Sequence, residues 1–245
     1  GYLLSLNWTQ HDPLIGATMF TTAMIAILGA HEMAHKVAAN KHDVEATYPY
    51  FIPGIPPFGT FGAVIQQKSL APNKDALFDL GMSGPVTGFI MTIFVTIVGI
   101  QLSQLTFHPP ANTSFLQVPL LFDFIVTIFP PVGQGSIILL HPVAYAGYIG
   151  MIITMLNLLP AGMLDGGHVV RVLLGEKARI VLSYIAILAL LLIGAWLMAI
   201  LVFFLSRYSH PGSMDEVSQL SNSRKLATVA LIVIFVLTIA PLYVL

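Results

Sequence analysis

Residues 14–39 read LIGATMFTTAMIAILGAHEMAHKVAA, an apolar run long enough for a membrane-spanning helix that carries a polar cluster near its end. Within this run His31 and His35 are four positions apart, and Glu32 directly follows the first histidine. On a helix, positions i and i+4 lie one above the other, so both imidazoles can reach one tetrahedral metal ion. Glu32 is then close enough to take a proton from a water at that metal.

The alternative for this cluster is a polar helix end, with solvated histidines and an ion pair between Glu32 and Lys36 at i+4. The depth of the cluster argues against it. His31 lies eight residues before Ala39, which is about 12 Å inside the helix end at 1.5 Å per residue. Ionisable groups at such depth are costly and usually functional.

The composition indicates a polytopic membrane protein, since 56% of the 245 residues are apolar and only 9% are charged. A net charge of −1 and the lack of a basic patch predict no nucleic-acid partner. The chain has no cysteine, so any metal must be held by His, Asp or Glu.

The apolar runs predict an all-α polytopic membrane protein with about five transmembrane helices. The predicted spans are residues 14–39, 76–105, 136–160, 178–205 and 226–245. Residues 51–67 are apolar but rich in proline and glycine, which excludes a helix there. Lysines and arginines follow the first and third spans, which predicts that these loops are cytoplasmic. The last loop does not fit this orientation, because Arg207, Arg224 and Lys225 lie in it.

A second polar group, NLLPAGMLDGG at residues 157–167, closes the third predicted span. Pro160 tends to end the helix before it, so the chain beyond can turn back at membrane depth. Asp165 is followed by two glycines, which allow the backbone to approach a neighbour closely. Asp165 can therefore be a third metal ligand, or it can cap a short helix at residues 167–174.

The two motifs together resemble the site-2 protease family of intramembrane zinc metalloproteases, which carry H-E-x-x-H on one helix and N-x-x-P-x-x-x-x-D-G-G on another. The resemblance implies one zinc ion per chain, bound by His31, His35 and Asp165. It also implies that Glu32 is the general base and that Asn157 holds substrate or the developing oxyanion.

Residues 49–65 look like the re-entrant β-hairpin of the archaeal and plant-chloroplast branch of that family. In this interpretation Gly59, Phe61 and Gly62 contact the substrate near the active site. A further resemblance concerns residues 81–88, where many members have G-P-x-x-N. Here Gly88 stands in place of the asparagine, and Gly84 with Gly88 forms a small-xxx-small pair suited to helix packing.

The similarity covers about residues 14–175. It predicts a membrane-embedded metalloprotease core in residues 1–175 and two C-terminal transmembrane helices in residues 176–245. The expected location is the cell membrane, or alternatively a chloroplast membrane, with the active site towards the cytoplasmic side.

The resemblance predicts hydrolysis of peptide bonds in transmembrane protein substrates, in contact with membrane lipid. A zinc transporter or a non-proteolytic membrane scaffold are the alternatives, although transport leaves Glu32 without a role and a scaffold need not retain both motifs. A prenyl-protein type of protease would use a glutamate as third ligand, for which Glu176 is the candidate. The sequence determines neither the substrate nor the oligomeric state.

Overall fold

The computed structural model describes residues 3–6, 13–53, 60–108, 115–207 and 211–239. The helices are α1 (Pro13–Lys41), α2 (Lys74–Leu102), α3 (Leu120–Ile128), α4 (Pro142–Asn157), α5 (Asp165–Leu174), α6 (Glu176–Leu192), α7 (Trp196–Ser206) and α8 (Asn222–Thr238). The strands are β1 (Leu3–Leu6), β2 (Tyr50–Pro53), β3 (Thr60–Val64), β4 (Ala71–Asn73), β5 (Gln104–Thr106), β6 (Phe115–Leu116), β7 (Val132–Gly133), β8 (Ile137–Leu140) and β9 (Ser213–Asp215).

Helices α1 and α2 are the two described helices that are long and apolar enough to cross a membrane, with 29 residues each. At about 1.5 Å per residue each is about 44 Å long, which exceeds the roughly 30 Å of a bilayer's hydrocarbon core. They match the predicted spans 14–39 and 76–105 closely. The prediction of a mainly helical chain with membrane-length helices is confirmed to this extent.

The third predicted span, residues 136–160, differs from the structure because it contains strand β8 followed by the 16-residue helix α4. Pro142 occupies the first helical position, where its missing N–H costs nothing. His141 caps this helix, since its Nδ1 accepts a hydrogen bond of 3.2 Å from the N–H of Val143. The proline and this cap explain why the helix begins six residues later than predicted.

The fourth predicted span, residues 178–205, is two helices, α6 and α7, which pack against each other. Helix α6 ends in a Schellman motif. In it the N–H of Ala195 donates to Leu190 O at 2.8 Å, and that of Gly194 donates to Leu191 O at 3.1 Å. Gly194 has φ +79°, which a side chain would disfavour. The described part of residues 176–245 therefore forms three helices, α6, α7 and α8, where two were predicted.

The chain divides into two compact units. The first comprises Gly1–Leu28, Gly88–Ile153 and Val236–Leu245. Its sheet has the strand order β6-β1-β8-β5-β7, with β8 parallel to β1 and antiparallel to β5. Every residue of β8 is buried, and α3 buries one apolar face. Helix α3 and the strands β5, β6 and β7 of this sheet lie in residues 103–135.

The second unit comprises Gly29–Thr87 and Thr154–Phe235 and holds every motif residue discussed above except Gly88. Strands β2 and β3 pair antiparallel, so the prediction of a non-helical segment is confirmed for its described residues, 51–53 and 60–67. The pairing extends past the strands, through the bridge between Ala46 and Gln67. Strand β4 pairs in parallel with β9, and α5 packs against α6.

A charged cluster joins α8 to α2 in the same unit. Arg224 forms a two-pronged ion pair with Asp79, at 2.7 Å from Nε and 2.6 Å from Nη2, and its Nη1 lies 2.7 Å from Asp75. His42, just after α1, also contacts Asp79 at 2.9 Å. The start of α8 is therefore fixed to the start of α2 by charge-assisted hydrogen bonds.

Candidate metal centre

Helix α1 presents His31 and His35 on one face, as their four-residue spacing predicts. Their Nε2 atoms are 3.1 Å apart, and the side chains are 4% and 8% exposed. The Nδ1 of His35 donates to the carbonyl oxygen of Leu80 on α2 at 2.8 Å. This contact leaves Nε2 of His35 as the nitrogen that is free to bind a metal.

Asp165 reaches the same point from the first turn of α5. Its Oδ2 lies 3.1 Å from Nε2 of His31, and its Oδ1 lies 3.3 Å from Nε2 of His35. The alternative role as a helix cap is wrong, because the N-cap residue is Leu164 and no side chain caps this helix. The prediction that α4 ends before Pro160 is confirmed by its last residue, Asn157.

The glycines after Asp165 allow this arrangement, because α5 lies directly against the turn that precedes it. A Cβ on Gly166 would overlap the carbonyl groups of Leu158 and Leu159. A Cβ on Gly167 would lie 2.8 Å from Ala161 O. The close backbone approach predicted for the two glycines is therefore confirmed.

The three side chains fit a zinc ion by distance and by donor set. Zinc binds histidine nitrogen at about 2.0–2.1 Å, so tetrahedral ligand atoms are about 3.3 Å apart. The two Nε2 atoms are 3.1 Å apart, and Asp165 faces His31 with Oδ2 at 3.1 Å and His35 with Oδ1 at 3.3 Å, separations close to that spacing. In the neutral tautomer of His35 whose Nδ1–H is directed at Leu80, Nε2 carries a lone pair and faces Oδ1 of Asp165, which is also an acceptor. A cation between them satisfies both acceptors.

Glu32 lies beside these three residues, with its carboxylate 4.0 Å from Nε2 of His31. Atoms of His31, Glu32 and His35 that could bind a metal all lie within 4.8 Å of one another. The backbone of Ile65, directly after β3, lies near the Glu32 carboxylate. Lys36 instead donates to Ala46 O at 2.5 Å, so the predicted alternative of a Glu32–Lys36 pair has no support in this geometry.

Other residues predicted for the site differ in how far the structure describes them. The side-chain nitrogen of Asn157 is 3.4 Å from Nε2 of His31. Phe61 and Gly62 belong to β3, of which only the backbone is described, and Gly59 lies outside the described residues. The carboxylate of Glu176 pairs with Arg179 and Arg171, as described below, which argues against a role as third ligand.

Helix α2 contributes a contact that the sequence analysis missed. Gly84, which was assigned to helix packing, lies against both imidazoles, and a Cβ there would be 2.6 Å from Nε2 of His31. Three residues earlier, a Cβ on Gly81 would lie 3.1 Å from Asp165 O. Glycines spaced three apart on a helix share one face, and this spacing was the available signal.

A helical H-E-x-x-H pair completed by a carboxylate from a second element is the arrangement typical of zinc metallopeptidases. The sequence model of peptidase family M50 matches residues 19–201 of this chain, and the chain belongs to this family. The resemblance to site-2 proteases is thereby confirmed.

Curated plant relatives agree with the family. The probable zinc metalloprotease EGY1, chloroplastic, of Arabidopsis thaliana is 30% identical over 94% of this chain and 44% of its own length. EGY1 of Oryza sativa subsp. japonica is 30% identical over 90% of this chain and 40% of its own length. The probable zinc metallopeptidase EGY3, chloroplastic, of Arabidopsis thaliana is 27% identical over 98% of this chain and 46% of its own length. The chain spans less than half the length of these relatives.

Proposed function

We propose that this chain contains the catalytic core of an intramembrane zinc metalloprotease that cleaves peptide bonds of transmembrane proteins. The observation that carries the proposal is the meeting of Asp165 with His31 and His35 at separations of 3.1 and 3.3 Å. These distances join two motifs far apart in the sequence into one set of ligands suited to zinc.

In this proposal His31, His35 and Asp165 hold one zinc ion per chain. When bound, zinc supplies a Lewis acid that polarises the scissile carbonyl and lowers the pKa of the attacking water. Glu32 accepts the proton that this water loses as the oxygen bonds to the carbonyl carbon. Glu32 then gives the proton to the amide nitrogen as the C–N bond breaks, which releases the amine and leaves the carboxylic acid.

Asn157 and the β2–β3 hairpin are assigned to the substrate. The amide nitrogen of Asn157 lies close enough to the ligands to donate to the developing oxyanion. The nearness of the Ile65 backbone to the Glu32 carboxylate supports a position of the hairpin beside the base. An extended substrate segment adds to its edge as a further strand and contacts Gly59, Phe61 and Gly62. A transmembrane substrate must unwind locally before it can add as a strand, because the carbonyl groups of a helix already accept the helix's own backbone hydrogen bonds.

The membrane arrangement belongs to the same proposal. Residues 1–175 form the protease core and residues 176–245 complete the membrane region, so that the chain crosses about five times. The hairpin is re-entrant, since non-helical backbone at membrane depth must lie against protein or a wet cavity. The lysines at the end of α1 and between α1 and α2 support an active site on the cytoplasmic side. We assign the chain to the cell membrane. The chloroplastic names of the plant relatives support the alternative, a chloroplast membrane.

The test is cleavage of a single-span protein whose membrane segment contains a helix-breaking Gly-Pro pair. The purified chain and its Glu32→Gln variant are compared in lipid vesicles at equal zinc content. Cleavage by the wild-type chain but not by Glu32→Gln, with no zinc crossing the vesicle membrane, supports the assignment as a protease. Zinc flux without cleavage would support a transporter, and neither activity would support a scaffold.

A further inference from the structure

The turn that separates Asn157 from Asp165 is held by two side chains of α6. Gly162 lies in this turn with φ +56°, a conformation that favours glycine. Its N–H donates to Ser183 Oγ at 2.9 Å, and its carbonyl oxygen accepts from Arg179 Nη1 at 2.9 Å. Both backbone polar groups of Gly162 are therefore fixed by α6.

Arg179 is itself held in one position. Its side chain is 1% exposed, so its charge requires a partner. Glu176 supplies that partner through a two-pronged pair, at 2.8 Å from Nε and 2.5 Å from Nη2. Because this pair fixes the plane of the guanidinium group, the remaining nitrogen Nη1 points at Gly162. Ser183 is fixed as well, since its hydroxyl donates to Arg179 O at 2.7 Å.

The same carboxylate reaches the helix that carries Asp165. Glu176 Oε2 lies 3.4 Å from Nε of Arg171 on α5, and Arg171 also pairs with Glu216 at 3.1 Å. Glu176 therefore links the turn and α5 to one point on α6. Gly166 and Gly167 lie directly on that turn, so a shift of the turn must move the start of α5.

We infer that Arg179 and Ser183 are positioning residues for Asp165. They fix the turn at Gly162, and the turn fixes where α5 begins and how far the Asp165 carboxylate lies from the two imidazoles. This inference rests on the proposed function, in which Asp165 is the third zinc ligand. Neither side chain takes part in the reaction itself.

The test measures zinc affinity of the full chain in detergent by competition with a chelator. Arg179→Gln removes the charge, and Ser183→Ala removes the acceptor for the Gly162 N–H together with the hydroxyl that donates to Arg179 O. We expect Arg179→Gln to lower zinc affinity about 10–100-fold, as loss of a residue that orients a ligand does. Ser183→Ala should lower it less. Lys177→Gln removes an exposed charge from the same helix and should leave the affinity unchanged.

A double variant distinguishes positioning of Asp165 from general damage. If Arg179 acts through Asp165, Arg179→Gln adds no further loss of zinc affinity in an Asp165→Ala background. The visible spectrum of the cobalt-substituted Arg179→Gln protein should then shift towards that of Asp165→Ala. Additive losses, or wild-type affinity and spectrum in a folded Arg179→Gln protein, would overturn the inference.

The remaining outcomes also decide between the proposals. If Arg179→Gln does not fold, the same cycle is run with Ser183→Ala, and additive losses there overturn the inference. Wild-type zinc affinity in Asp165→Ala alone would instead refute the ligand assignment in the proposed function. The two failures are therefore distinguishable.

Discussion

Oδ2 of Asp165 lies 3.1 Å from Nε2 of His31, although 134 residues separate the two in the sequence. Such a distance between an imidazole and a carboxylate suits two ligands of one metal ion. The pair also connects the two motifs of the chain, because His31 belongs to H-E-x-x-H on α1 and Asp165 precedes the glycine pair on α5.

Removal of the Asp165 carboxylate should release zinc. The wild-type chain is expected to hold one zinc ion, and Asp165→Ala should hold much less after dialysis against a weak chelator, since two imidazoles remain. Metal analysis of the purified proteins measures this. Asp123→Ala, which removes an exposed carboxylate on α3, is the control. Equal zinc content in Asp165→Ala and wild type would exclude Asp165 from the metal site.

Glu32→Gln should keep the metal and lose the chemistry, because the amide preserves the size of the side chain but cannot accept the proton of water. We expect the cleavage rate to fall by about 100-fold or more at unchanged zinc content. The exposed Glu45→Gln is the matched control and should cleave normally. Cleavage by Glu32→Gln near the wild-type rate contradicts the role as base, and loss of zinc would indicate a ligand instead.

Gly84→Ala should damage the metal site although it replaces none of the proposed ligands. The added Cβ would lie 2.6 Å from Nε2 of His31, so the imidazoles or α2 must move. A loss of zinc affinity of about 10-fold or more is expected. Gly29→Ala is the control on α1, because a Cβ there meets nothing within 4 Å and should slightly stabilise the helix. Chelator competition on both variants measures the difference, and equal affinities would show that Gly84 is not required.

Gly62→Val tests the hairpin as a substrate clamp. If β3 holds an unwound segment of the substrate, the change should impair cleavage of a full transmembrane protein. A short soluble peptide, which is already extended, should be affected less. The measurement compares both substrates with Gly62→Val and wild type at matched zinc content. Equal loss on both substrates would reject the clamp in favour of misfolding or a role in the chemistry.

Arg224→Gln should destabilise the protein while leaving the zinc site intact. The ion pairs with Asp75 and Asp79 are partly exposed, so the expected loss in free energy of unfolding is about 1–2 kcal/mol. Denaturant unfolding in detergent gives the stability, and chelator competition gives the zinc affinity. A tenfold fall in zinc affinity would show that the cluster at the start of α8 also shapes the metal centre.

The meeting of His31 and His35 on one face of α1 was predictable from the sequence, because the i, i+4 geometry is a local property of any helix. Asp165 was predicted as one of two alternatives from residues alone and was singled out by the family resemblance. The structure brings it to the imidazoles. The contact of Gly84 with the imidazoles was not predictable, since it depends on how closely α2 approaches α1.

The sequence by itself determined the two long apolar helices, the absence of a helix in the described residues 51–53 and 60–67, and the end of α4 before Pro160. Each follows from hydropathy or from the backbone limits of proline and glycine, which act locally. The tertiary structure alone decided that residues 178–205 break at Gly194 and that Arg179 holds Gly162. A glycine in an apolar run can continue a helix or end it. The packing of α7 against α6 decides between the two, because it buries side chains that a straight helix would leave apart.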